Sequence, residues 1–358
     1  MQQKKQRIVV KIGSSSLTKK DGSLSPVKLA QFCDAFAETR QAGHELIVVS
    51  SGSVAAGFRE IGYPVRPVTV QAKQAAAAVG QSLLMQQYRF MLQQYGITAA
   101  QLLLTRHDFR DGEHYQNISA ALSELLKRHV LPIINENDST AVDELTFGDN
   151  DMLSALISGA THADKLILFT DADGVYTANP QKDPAAEKFR HIAVISDDIT
   201  GAADTETTAV GTGGMRAKLK AAEAAQEVGV GVYIGRFAPD TSIASIAAGI
   251  GSGTYIQAGA AAMKTRKQWI AYHASPRGML RVDPGAAEAL LQSGKSLLSV
   301  GVIEAAGDFD TGDVIDVYDE EDHFLGKGKA AAPRTRLQED DASFLIIHRD
   351  EWVAMNNR

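Results

Sequence analysis

Several polar and acidic clusters sit where the chain passes between loop and regular structure. Gly148-Asp149-Asn150-Asp151 opens into an apolar run, residues 152–163, that reads as a helix. Residues 165–170 then read as a buried strand, ending on Asp171, Asp173 and the turn glycine Gly174. A helix N-terminus carries unpaired N–H groups and partial positive charge, so it suits an anion. Four acids in two loops around one short helix point to a cation, an ammonium group or metal-bound phosphate. Two lysines occupy comparable junctions. Lys11 lies where the strand of residues 7–12 meets the small-residue loop Gly13-Ser14-Ser15-Ser16, and Lys218 follows the Gly/Thr loop of residues 210–214 into an Ala-rich helix. Loops of glycine and serine let backbone N–H groups approach phosphate. Each lysine also has a plainer reading: Lys11 could cap an exposed sheet end, and Lys218 could be a solvated charge after a glycine hinge. The Walker pattern is absent.

Two further strands discharge into polar loops. Residues 45–50 run into Ser51-Gly52-Ser53, and residues 130–134 into Asn135-Glu136-Asn137-Asp138-Ser139. Ligands gather at such carboxyl ends in a doubly wound sheet. Ordinary turns and loop solvation are the alternatives for both.

These loops need a scaffold. The pattern predicts helices at 26–42, 71–95 and 112–128, a strand at 99–105, a helix ending near Val228 and a strand at 230–234 that closes the sheet. Residues 181–210 read as a polar, mobile surface excursion with a short apolar patch at 192–195. Strands alternating with helices imply an α/β fold: a mostly parallel open sheet sandwiched by helices. After the basic stretch of residues 264–267 the texture changes to short β-rich runs at 269–272, 299–303, 314–317 and 343–347, with one helix at 284–292. Two domains are therefore expected, 1–267 and a small C-terminal β-rich domain at 268–358.

The bulk properties narrow the function. The chain has 358 residues and one cysteine, Cys33, so it holds no intrachain disulfide. Cys33 falls on an apolar helical stripe with Leu29, Phe32 and Phe36, which favours packing over reactivity. No apolar run reaches membrane-span length, and the N-terminus lacks a signal-peptide core, so a cytoplasmic protein is expected. Beyond Lys267 there are 9 Lys and Arg against 16 Asp and Glu, which is the whole net charge of −7; the first 267 residues hold 27 of each sign. That acidic tail disfavours a polyanion partner.

The motifs VVKIGSSSL at 9–17, VVSSGSVAAG at 48–57, INENDST at 134–140, FGDNDMLSA at 147–155, FTDADGVYTANP at 169–180 and GTGGMRAK at 211–218 resemble the amino-acid kinase family, and within it the glutamate 5-kinases. They span nearly the whole first domain in the family's order. Residues 282–291 and 295–302 resemble the PUA domain. The resemblance implies ATP-dependent phosphorylation of the L-glutamate side-chain carboxylate to L-glutamyl 5-phosphate, the first step of proline synthesis, with Mg2+. It implies that Lys11 and Lys218 neutralise the moving phosphoryl group and that Asp151 orients them. Ser51, Asp138, Asp149 and Asn150 match glutamate-binding positions. Thr170, Asp171, Thr212, Gly213, Gly214, Met215, Arg216 and Ala217 match nucleotide-binding positions, together with the two lysines. One departure is visible: Arg216-Ala217 precedes Lys218 where a hydroxyl residue is expected. The resemblance further implies feedback inhibition by proline and a homo-oligomer, dimer or tetramer. No residue is assigned as a direct metal ligand, and Asp171 could serve nucleotide or metal.

The residue chemistry is compatible with those roles. A carboxylate nucleophile is already ionised at neutral pH, so no general base is required. Phosphoryl transfer asks chiefly for positioning and charge neutralisation. Two other readings stay open: another member of the fold acting on a different small acid or phosphate, and an RNA-binding protein acting through the PUA-like tail.

Overall fold

The computed structural model describes residues 4–140, 150–180, 182–202, 214–238, 240, 242–259, 270, 274, 276–338 and 343–355. The chain divides into two compact units, one of residues 1–106 and 118–262 and one of residues 107–117 and 263–358.

The elements begin with β1 (Arg7–Ile12), α1 (Ser14–Leu17), α2 (Pro26–Gln41), β2 (Glu45–Ser50), α3 (Ser53–Gly57) and α4 (Val70–Gln93). There follow β3 (Ala99–Leu104), α5 (Arg106–Arg110), α6 (Gly112–Lys127), β4 (Leu131–Glu136), α7 (Asn150–Ala160) and β5 (Lys165–Phe169). The small hairpin β6 (Val175–Tyr176) and β7 (Lys188–Phe189) precedes β8 (His191–Ile192) and α8 (Asp197–Ala202). The first unit ends with α9 (Met215–Glu227), β9 (Gly231–Gly235), α10 (Ile243–Ala247) and β10 (Thr254–Ile256).

Eight strands form one sheet in the order β3-β4-β2-β1-β5-β9-β10-β8. The six from β3 to β9 run parallel, so their carboxyl ends share one edge. Strand alternation divides the faces. Ile8, Val10 and Ile12 of β1 pack with Leu29, Phe32, Cys33 and Phe36 of α2 and with Leu84 and Tyr88 of α4. Burial among these apolar groups pushes the Cys33 thiol up to about 12, so it stays protonated and inert at neutral pH. Val9 and Lys11 point to the other face. There α7 lies against β1 and α9. α7 is buried on almost every side, as a helix between sheet and neighbouring helices must be.

The expected α/β class and central strands are present, with four differences. β4 extends through Asn135 and Glu136, expected as loop, because both pair with β3 (Leu103 with Asn135, Leu104 with Glu136). β9 does not close the sheet: β10 adds antiparallel to it, and β8 adds beyond β10. Residues 182–202 are therefore not wholly an irregular excursion, since they supply that edge strand and α8. Strands of two or three residues are too short to show a periodic pattern. α7 starts at Asn150, two residues before its apolar run.

One close approach fixes the loop after β2. A Cβ on Gly57 would lie 2.1 Å from the Ala76 carbonyl oxygen, and one on Gly80 would lie 1.9 Å from that of Ser53. Only glycine at both places lets α3 and α4 cross with backbones touching. Gly52, at the N-terminus of α3, has φ 112°, a conformation that costs other L-residues strain. Together these glycines hold Ser51 and Ser53 at the sheet's carboxyl edge.

The second unit holds a six-stranded mixed sheet, ordered β12-β16-β15-β14-β11-β13. Its strands are β11 (Gly278–Val282), β12 (Leu297–Leu298), β13 (Val302–Gly307), β14 (Val314–Tyr318), β15 (Phe324–Ala330) and β16 (Leu345–Ala354). Leu280, Val282, Phe309, Ile315, Val317, Ile346 and Ile347 fill its core. Helix Pro284–Leu291 starts with Asp283 accepting from the Ala286 N–H at 2.7 Å, which satisfies one orphan donor. The expected strand at 269–272 lies outside the described residues except Ile270. Residues 299–301 form a 3-10 turn rather than strand.

Gly80→Ala should lower stability by at least about 1–3 kcal/mol, the usual cost of overpacking. Gly201→Ala, where an added Cβ meets nothing within 4 Å, should be neutral. Urea midpoints of the two variants check both outcomes.

Candidate functional site

Three buried charges meet between β1, α7 and α9. Lys11 Nζ lies 2.7 Å from Asp151 Oδ1, and Lys218 Nζ lies 3.0 Å from Asp151 Oδ2. Strand period two puts Lys11 on the α7 side of the sheet. Asp151 stands in the first turn of α7, where the helix dipole favours an anion. Lys218 stands in the first turn of α9, on its buried face with Leu219, Ala221 and Ala222. The relative exposures are 5 % for Lys11, 1 % for Asp151 and 7 % for Lys218. The plainer readings, a sheet-end cap and a solvated charge, do not survive that burial.

The charges shape each other. Burial pushes the Asp151 carboxyl up, but Lys11 and Lys218 outweigh it and hold the group below the ordinary carboxylate range. Burial pulls the Lys11 ammonium down, Lys218 adds to this, and Asp151 opposes it; the result is a lowered value. The three groups together carry one excess positive charge, which an approaching anion can offset.

Beside this triad lies an amide network. Asn150, the first residue of α7, donates from Nδ2 to Ser51 Oγ and to Asn135 Oδ1, each at 3.0 Å. Asn135 Nδ2 donates to Gln81 Oε1 of α4 at 2.9 Å. Further along the same edge, Ser53 Oγ donates to Asp138 Oδ2 at 2.7 Å. Asp138 also opposes the burial-driven lowering of half-buried Arg66.

The other side of the triad is more open. The Thr170 N–H donates to the Gly235 carbonyl at 3.0 Å, joining the ends of β5 and β9. The carbonyl of exposed Asp171 accepts from Arg236 Nε at 2.8 Å, and the Asp171 charge acts on Lys11. Gly214 is the N-cap of α9, which continues through Met215, exposed Arg216, Ala217 and Lys218. The site thus brings Lys11, Asp151 and Lys218 into direct contact. It joins Ser51 to Asn150 and places Asp138, Thr170, Asp171 and the start of α9 at the same sheet edge. Asp149, Thr212 and Gly213 lie outside the described residues. Among the described residues no group of three His, Cys, Asp or Glu side chains is placed to hold a metal ion.

Sequence reasoning missed Gln81, Ser53 and Arg236. Gln81 was discoverable: it falls between Ala77 and Leu84 on the buried stripe of α4, where an uncharged amide needs a partner. Nothing local marked Arg236, which acts through a backbone carbonyl.

Residues 6–236 match the amino acid kinase family, and residues 278–339 match the PUA domain. Over 98 % of its length the chain is 51 % identical to the glutamate 5-kinase of Geobacillus kaustophilus, covering 98 % of that protein. It is 47 % identical to glutamate 5-kinase 1 of Bacillus subtilis, over 98 % of this chain and 99 % of that one. Among solved structures, the carbamate kinase of Giardia lamblia bound to AMP-PNP superposes with a TM-score of 0.51 at 15 % identity, covering 71 % of this chain and 100 % of that chain. That last likeness concerns the fold.

Asp151 has a folded value below its unfolded one, so its stabilising contribution is present above about pH 4 and is lost as pH falls through the lowered value. Asp151→Asn leaves two buried ammonium groups facing each other and should cost about 3–5 kcal/mol at neutral pH. Urea midpoints from neutral to strongly acid pH should show the gap between wild type and variant shrinking at the acid end; a constant gap would contradict the assignment.

Proposed function

The chain belongs to the amino-acid kinase family, and from that premise we propose that it transfers the γ-phosphoryl group of ATP to the side-chain carboxylate of L-glutamate, giving L-glutamyl 5-phosphate for proline biosynthesis. The observation that carries this reading is the buried Lys11–Asp151–Lys218 triad beside the Ser51–Asn150 pair. A carboxylate oxygen attacks the γ-phosphorus, the bond to the β–γ bridging oxygen breaks, and ADP leaves with that electron pair. Both partners are anions. Lys11 and Lys218 offset their repulsion and the charge on the equatorial oxygens in the transition state. Asp151 touches neither substrate in this scheme; it holds the two ammonium groups at a fixed separation.

Ser51, Asp138, Asp149 and Asn150 hold glutamate, with Asp138 and Asp149 suited to its ammonium group. Thr170, Asp171, Thr212, Gly213, Gly214, Met215, Arg216 and Ala217, with the two lysines, cradle ATP at the N-terminus of α9. ATP enters as its Mg2+ salt, and magnesium characteristically retains several waters. The phosphates and water-bridged carboxylates such as Asp171 suit it. Ala217 stands before Lys218 where a hydroxyl residue is expected, and Arg216 adds a charge nearby.

The catalytic domain is residues 1–267 and the PUA-like domain residues 268–358. The acidity of the latter favours a part in assembly or regulation over RNA binding. The protein works in the cytoplasm as a homo-oligomer, dimer or tetramer, and proline competes at the glutamate site as feedback inhibitor.

ATP consumption coupled to hydroxylamine trapping of the acyl phosphate tests the reaction. Glutamate should be preferred over aspartate, N-acetylglutamate and UMP, and a preference for any of those would overturn the reading. Lys11→Ala and Lys218→Ala should each lower kcat by about 10²–10³, the usual loss for a group stabilising transition-state charge. Asp138→Ala should chiefly raise the glutamate KM. Normal turnover in the Lys218 variant would remove that residue from the catalytic set.

A further inference from the structure

The amide network beside the triad has a fixed polarity, set by a backbone N–H at one end and held by Gln81 at the other. The Glu136 N–H at the end of β4 can only donate. It points to Asn135 Oδ1 at 2.9 Å and to Asn150 Oδ1 at 3.3 Å. Both amides must therefore turn their oxygens toward it and their Nδ2 groups away. Asn135 Nδ2 then needs an acceptor, and Gln81 Oε1 is there at 2.9 Å. Asn150 Nδ2 is directed at Asn135 Oδ1 and Ser51 Oγ, both at 3.0 Å. Flipping either asparagine would set donor against donor. Every member is at least nine-tenths buried: Gln81 8 %, Asn135 1 %, Glu136 4 %, Asn150 9 % and Ser51 9 % exposed. Water is largely excluded, so a misaligned amide would be costly.

The consequence falls on Ser51. A hydroxyl has one proton to donate and lone pairs to accept with. Ser51 Oγ accepts from Asn150, and among the described residues its own proton meets no acceptor. We propose that Gln81 is a positioning residue that, through Asn135 and Asn150, commits the Ser51 hydroxyl to donate its proton to a carboxylate oxygen of the amino-acid substrate rather than face its ammonium group. This rests on the reading of the site as a glutamate kinase and extends it: Ser51 takes an acid oxygen, and the carboxylate of Asp138 is left for the ammonium. The two hydroxyls of this loop then differ in kind, since Ser53 spends its proton on Asp138.

The test uses steady-state kinetics of the full-length enzyme. If wild type does not consume ATP with glutamate, the underlying reading fails before any variant is made. Otherwise Gln81→Leu should raise the glutamate KM about tenfold, the effect of weakening one hydrogen bond to a charged group, with kcat and the ATP KM little changed. Gln81→Glu, which keeps an acceptor oxygen opposite Asn135, should stay within about threefold of wild type; it guards against a Gln81→Leu protein that fails to fold. In the Ser51→Ala background, Gln81→Leu should add little, because its effect passes through the missing hydroxyl. The inhibition constant of glutarate, which keeps both carboxylates and lacks the ammonium, should rise with Gln81→Leu as much as the glutamate KM does. An additive double variant, or a glutarate constant that does not move while the glutamate KM rises, would overturn the proposal.

Discussion

One carboxylate between two ammonium groups organises the catalytic unit. Asp151 binds Lys11 of β1 and Lys218 of α9, so a single side chain joins the central strand β1, the buried helix α7 and the helix α9. Buried ion pairs are weak sources of stability, because desolvation cancels much of their attraction. An apolar trio would fill the space as well. What an apolar trio cannot do is keep two positive charges poised at the carboxyl edge of a parallel sheet. In the proposed reaction, that excess charge offsets the repulsion between the two anions the phosphoryl group passes between. Because Asp151 is nearly inaccessible, its field is screened little by salt.

The proposed reaction also needs glutamate held in register beside the triad, and the backbone sets where the proposed glutamate residues stand. The close crossing of α3 and α4 at Gly57 and Gly80 and the left-handed Gly52 fix where Ser51 and Ser53 stand. The Glu136 N–H fixes which way the neighbouring amides turn. Asn150 belongs to both systems: it is one residue from Asp151 on the same helical turn and hydrogen-bonded to Ser51.

Much of this was legible from residue types. Strand-to-loop junctions identified Lys11, Ser51, Asp138, Thr170 and Asp171 as edge residues, because an apolar run that gives way to glycine, serine or acid marks where a buried strand meets solvent; Asp151 was marked instead by a loop-to-helix junction. The period-two pattern of β1 was clear from Ile8, Val10 and Ile12. Less legible were features that depend on tertiary partners. Asn135 and Glu136 looked like loop because they are polar, yet the ladder with β3 and the amide of Gln81 make burial tolerable there. β8 and β10 are too short for periodicity to reveal, so by pattern alone the sheet ends at β9. Gln81 lies in a run of alanines and glutamines, and its one sequence signal is its place between Ala77 and Leu84 on the buried stripe of α4. The acids of the α7 region suggest metal ligation by their type; the contacts of Asp151 are with lysines.

In the proposed reaction Lys11 and Lys218, aligned by Asp151, act on the γ-phosphoryl group that ATP transfers and that ADP lacks. The most direct measurement is the affinity for ADP with and without glutamate and aluminium fluoride, which mimics the transferring group. Transition-state mimics should bind at least about 10²-fold tighter than ground-state ligands where the site is complementary to the transition state. Wild type should show that tightening, while Lys11→Met and Lys218→Met should lose most of it and keep their affinity for ADP alone. Variants that retain the full tightening, or that lose ADP binding and tightening in equal measure, would contradict the account.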